Sequence, residues 1–173
     1  MVRYGLAPKR RLNAGPRSLA AWIPAVSVVL ASLLHLMPAV TLTGWFPDFG
    51  YLVFIAWRLL RADPWPAWWA APLGLANDLI TGGPIGLSVA LWTATMIVLD
   101  LIDRRTMWRD YWIEWVLAAV LLTAAETLDW WAAGAEGAAA PYATILEPLL
   151  VAIVSFPIAA FVVSRIDRWR LGR

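Results

Sequence analysis

Residues 19–42 read LAAWIPAVSVVLASLLHLMPAVTL, and the fold turns on whether this run is a secretory signal or a membrane span. Lys9, Arg10, Arg11 and Arg17 stand before it, as basic residues do before a signal. The apolar core of a signal covers only ~7–15 residues. Leu19 to Leu42 is apolar throughout apart from a few Ser, Thr and His positions. That is long enough to cross a bilayer, which takes ~20 residues. The run therefore reads as an uncleaved first transmembrane helix.

Five further apolar runs follow: Phe49–Leu60, Trp65–Ile80, Leu87–Ile102, Tyr111–Leu128 and Tyr142–Val163. The chain has 173 residues, 61% hydrophobic and 15% charged. Soluble domains carry roughly 25% charged residues, so this balance excludes a water-soluble globule. The expected fold is all-α, a compact bundle of about six transmembrane helices. It forms a single transmembrane domain over residues 1–173, with no room for a second, soluble one. Phe49–Leu60 is short, ~18 Å of helix. It must be tilted, shielded by neighbours, or extended backwards through Gly44–Pro47.

The basic residues orient the bundle. All 14 Lys and Arg precede the first run, follow the last, or lie in the second-to-third and fourth-to-fifth loops. The loops Thr43–Asp48, Thr81–Gly86 and Asp129–Pro141 have none. Positive charge stays on the cytoplasmic side, so both termini are expected in the cytoplasm, residues 1–18 and 164–173 being basic tails. The net charge of +2 and pI near 9.4 follow this topology pattern and do not point to nucleic acid. Thirteen tryptophans fall mostly near run ends, where indole rings favour the headgroup level; Trp57 and Trp169 are among them. The absence of cysteine excludes disulfides and thiolate chemistry. The single histidine, His35, argues against a histidine metal site.

The most informative polar segment is Gly74-Leu-Ala-Asn-Asp78-Leu-Ile-Thr-Gly82-Gly-Pro-Ile-Gly86. An aspartate at the depth of Asp78 is costly and should face the bundle or water. Gly74 shares its helix face at i−4 and lets another backbone approach. Thr81 to Gly86 makes a tight reversal, and Pro84 opens the next helix. Two readings stand side by side: a polar hinge that docks a partner or ligand, or Asn77 and Asp78 capping the turn through local hydrogen bonds.

The other intramembrane polar groups fit local roles. Asp100 and Asp103 share a face at i, i+3 and adjoin Arg104 and Arg105, with which they are expected to pair. Glu114, Glu126 and Asp129 lie towards the ends of their run, where charge reaches water. Glu147 suits a helix N-terminus. His35 is expected to be hydrogen-bonded inside the bundle. No G-x-S-x-G elbow, H-E-x-x-H or P-loop occurs; no catalytic residue, metal ligand or cofactor-binding residue is assigned.

Three features together resemble the rod shape-determining protein MreD family. They are the cationic N-terminus with one long helix, Phe46-Pro47-Asp48 leading to Ala56-Trp57-Arg58, and Gly74-x-x-x-Asp78-Leu79-Ile80-Thr81-Gly82 followed by Ile85-Gly86. The matching core covers roughly Pro47 to Leu101; the remainder agrees in length, span number and basic C-terminus. The resemblance implies a multi-pass component of the bacterial inner membrane, in the machinery that elongates the lateral cell wall. It implies a non-enzymatic scaffold acting with MreC, and with MreB, RodA and penicillin-binding protein 2. Pro47, Gly74, Asp78, Gly82 and Gly86 carry over as motif positions, for partner binding or as a hinge. The family's fold is thought to be similar to substrate-binding subunits of energy-coupling-factor transporters. That motivates a second expectation: a vitamin-type transporter subunit with a cavity near Trp45, Asp78, Glu126 and Trp130.

Overall fold

The computed structural model describes residues 18–38, 46–61, 66–105, 110–138 and 140–171. Within them the chain is helical, with no strand. Six α-helices run alternately up and down: α1 Ile23–Ser32, α2 Phe49–Leu60, α3 Ala70–Thr81, α4 Leu87–Arg105, α5 Tyr111–Ala135 and α6 Leu146–Leu171. Short 3₁₀ segments lead into or out of them at Ser18–Ala21, Leu33–Leu36, Ala67–Trp69 and Tyr142–Ile145.

The first run differs most from expectation. Its α-helix is ten residues long and tightens to 3₁₀ at Leu33–Leu36. The cause is Pro38, which offers no N–H and whose ring clashes with the carbonyl four residues back. Met37 before it is extended, at φ −72° and ψ 129°, as a residue before proline prefers. Residues 39–42 lie outside the described residues.

The short helix α2 has the bounds expected and forms the centre of the bundle. It touches α1, α4, α5 and α6, and nine of its twelve residues are buried. Neighbours therefore shield it. It does not extend backwards: Asp48 stops it, accepting a hydrogen bond from the Tyr51 amide at 3.1 Å, the standard way of satisfying a first-turn donor. Gly44 lies outside the described residues. Around α2, Phe54 stacks on Trp92 of α4 at 4.7 Å between ring centroids. Tyr51 shares a hydroxyl hydrogen bond with Thr95 at 2.7 Å.

α4 runs three residues past its apolar run, to Arg105, and two helices outrun theirs further. α5 continues past Leu128 to Ala135, because alanine is the best helix former; it carries Gly134 within it, and Gly137, at φ 93°, follows its end. α6 continues through the basic tail to Leu171, so residues 164–171 are helical. Tyr111–Ala135 and Tyr142–Leu171 are both long and apolar enough to cross a membrane by length and composition.

The bundle ends are chemically opposite. Arg58, Arg61, Arg104, Arg105, Arg165, Arg168 and Arg170 all stand at one end. Asp48, Asp78, Glu126, Asp129, Glu136 and Glu147 stand towards the other, with His35. α3 and α4 form a tight antiparallel hairpin whose turn lies at the acidic end.

Candidate functional site

The hairpin turn is closed by one carboxylate. Asp78, on the last turn of α3, is 3% exposed. Its Oδ2 accepts from the Gly86 amide at 2.7 Å and its Oδ1 from the Ser88 amide at 2.9 Å. These are first-turn donors of α4 that have no partner within their own helix. The negative charge also sits where the helix dipole favours it. Asp78 thus acts as a cap delivered from the preceding helix. Of the two readings of its sequence environment, the hydrogen bonds match the capping one for Asp78, whereas Asn77 bonds the side chains of Asp48 and Ser88 instead.

The glycines make this cap reachable, each differently. Gly74 lies where α3 meets α4: an added Cβ would stand 2.7 Å from the Ser88 carbonyl oxygen and 2.8 Å from the Val89 Cα. Gly82 ends α3 in the left-handed conformation, at φ 73°, the usual glycine role after a helix. Gly86 immediately precedes α4, at φ 100°. Space is open around both Gly82 and Gly86; backbone angle alone selects glycine there. We expect Gly82→Leu to cost about 1–2 kcal/mol, the left-handed penalty for a non-glycine residue. Gly74→Ala should cost about 1–3 kcal/mol by forcing the helices apart, despite its smaller side chain. Thermal unfolding of the purified protein in detergent measures both, and equal midpoints for Gly74→Ala and the parent would refute the close-packing role.

The turn is tied to α2 through Asn77, which is 1% exposed. Its Nδ2 donates to Asp48 Oδ2 at 2.6 Å and lies 3.3 Å from Ser88 Oγ. Pro47, buried beside Asp48, fixes the approach of the chain to this point. The motif positions Pro47, Gly74, Asp78, Gly82 and Gly86 thus fall into one connected structure. Of the residues that connect them, Asp48 belongs to the Phe46-Pro47-Asp48 block and Asn77 adjoins Asp78, whereas Ser88 carries no sequence signal beyond being short and polar. Burial raises the Asp48 carboxyl above its usual range, against the lowering effect of the Tyr51 amide and Asn77.

Beside this knot lies a hollow of about 300 Å³. Its walls include His35, Asp48, Asn77, Asp78, Glu126 and Asp129. Of the residues expected around a cavity, Asp78 and Glu126 meet here. Trp130 turns away and donates its indole N–H to the Ala140 carbonyl at 2.8 Å; Trp45 lies outside the described residues. His35 is half-buried on the rim. Among the described residues, no three His, Asp or Glu side chains converge closely enough to hold a metal ion.

The opposite end carries a second polar cluster. Arg58, 1% exposed, pairs with Asp100 and with Asp103, the latter at 2.8 Å. The side chains of the expected local partners, Arg104 and Arg105, lie outside the described residues; the pairing seen here reaches these aspartates from α2. Arg61 reaches Asp167 at 2.7 Å, and Arg170 reaches the same carboxylate at 2.7 Å. Arg170 also lies over the Trp57 ring, 5.5 Å from its centroid. Trp57 is fully buried and donates to Ser27 Oγ at 2.8 Å, so it does not belong to an interfacial belt. A run-end position alone does not separate a ring facing lipid from one facing a neighbouring helix.

Compared with family models, with curated proteins and with solved structures, the chain matches none.

Proposed function

We propose that this chain is a six-span inner-membrane protein with both termini in the cytoplasm. In this reading it is a non-enzymatic scaffold of the machinery that elongates the bacterial cell wall, of the MreD type, binding MreC. MreB, RodA and penicillin-binding protein 2 belong to the same assembly. The observation that carries the reading is the knot itself. Of the five motif positions, Gly74, Asp78, Gly82 and Gly86 shape one hydrogen-bonded α3–α4 turn, and Pro47 stands next to Asp48, which Asn77 ties to that turn. The membrane placement draws support from the two long apolar helices and from the segregation of arginines to one end, which matches the positive-inside rule.

A scaffold acts by holding a shape. The knot sets the distance between α3 and α4 and their register against α2, and so fixes the surface offered to a partner. Cells whose only copy carries Asp78→Leu should lose rod shape, whereas Trp169→Ala, at an exposed position, should leave it intact. Rod growth at normal protein level in the Asp78→Leu strain would sink the assignment of the knot to this function.

A second reading draws on the acidic hollow: a substrate-binding subunit of a small-molecule transporter. It requires a ligand retained through purification and an ATPase partner outside this chain.

A further inference from the structure

We propose that the last turns of α6 bind the headgroup of an anionic phospholipid. The site is Arg165, Arg168 and Trp169, and the inference rests on the membrane-spanning reading above.

The arginines of α6 divide into two kinds. Arg170 is held inward by Asp167 and by the Trp57 ring, and Asp167 is shared with Arg61. Arg165 and Arg168 are exposed on the opposite side. Neither has an ion-pair partner among the described residues. They sit at i and i+3, with Trp169 at i+4 from Arg165, so all three share one face. Trp169 is 76% exposed, and a hollow of about 720 Å³ opens beside these residues and Ile166.

What lies below them on the same face identifies the occupant. Leu146, Leu150, Val154, Ile158, Phe161 and Val162 are exposed at spacings of mostly four residues, forming one apolar stripe along α6. The stripe leads directly to Arg165. From Leu146 to Arg165 is about 28 Å of helix, close to the ~30 Å thickness of bilayer hydrocarbon. The apolar stripe therefore meets acyl chains over their full depth. The first unpaired cations on that face emerge where phosphates begin, with an indole ring at headgroup level. Two guanidinium groups about one turn apart match a phosphodiester's oxygens through forked hydrogen bonds. A soluble polyanion would have no use for the apolar stripe.

The test uses the full chain, purified in mild detergent and stripped of lipid. Phosphatidylglycerol and phosphatidylcholine are added in turn, and bound lipids are counted by native mass spectrometry. The parent is expected to prefer phosphatidylglycerol by about thirtyfold, from two arginines near the anionic headgroup. The double variant Arg165→Gln, Arg168→Gln should lose that preference and keep its phosphatidylcholine binding. The variant Arg165→Lys, Arg168→Lys, which keeps both charges but not the forked donors, should fall between the parent and the glutamine variant, and high salt should weaken the preference in the parent. A parent without preference overturns the site, as does a glutamine variant that binds phosphatidylglycerol like the parent. An alkaline wash of cell membranes separates the two levels. Release of the chain overturns the membrane reading itself; retention without lipid preference overturns the headgroup site alone.

Discussion

Asp78→Leu is expected to destabilise the purified protein by about 3–5 kcal/mol, on the scale of two hydrogen bonds to a charged acceptor. The Gly86 and Ser88 amides lose their acceptor and become partly buried donors without partners. Leucine cannot replace either bond, and its side chain would enter a site walled by Asn77 and Ser88. Asp78→Asn separates charge from hydrogen bonding. It keeps one carbonyl acceptor, so its cost should be about 1–2 kcal/mol. Unfolding midpoints in detergent, followed by helical circular dichroism, rank the three proteins. An Asp78→Leu protein as stable as the parent would mean that the carboxylate does not hold the hairpin closed.

The second large effect is at the arginine end. Neutralising Asp100 and Asp103 together, by Asp→Asn at both, should cost about 3–5 kcal/mol. The reason is the asymmetry of burial. Arg58 has 1% of its side chain exposed, whereas Asp100 and Asp103 have 40% and 21%. With its anions gone, the guanidinium is left charged and buried. Arg58→Met leaves the aspartates instead, which can hydrate, and should cost about 1–2 kcal/mol. The triple variant, with Arg58→Met added to both Asp→Asn changes, should recover most of the loss, since replacing a whole buried ion pair is often neutral. This coupling is read from a mutant cycle. Additive losses across the three variants would show that the ion pair does not link α2 to α4.

How much of this was legible in the sequence depends on where each signal is written. The bounds of α2 were legible because its run is closed on both sides, by Asp48 as a cap and by Arg61 after Leu60. The Gly74–Gly86 block was legible because positive φ and close helix approach both demand glycine. The ends of α5 and α6 were not. Hydropathy falls at Asp129 and Arg165, but both helices run on past these residues, because a polar side chain does not by itself end a helix. The broken end of α1 was written in Pro38, whose effect on the preceding turn outweighs the apolar character of the run. Arg58 is the clearest case of tertiary information. In the sequence it marks a basic loop next to Trp57; in the fold it is a buried counter-ion to another helix. The bond from Asn77 to Asp48 likewise depends on the end of α3 meeting the start of α2. Pairings between helices carry no local signature, so they become visible only once the bundle is assembled.

The most direct test of the scaffold proposal is to tag the protein in its native host, purify it in mild detergent, and identify what accompanies it. Recovery of MreC and the wall synthases, lost with Asp78→Leu and kept with Trp169→Ala, is the predicted result. Recovery of a transporter ATPase in their place, with a small molecule retained in the acidic hollow, would contradict it.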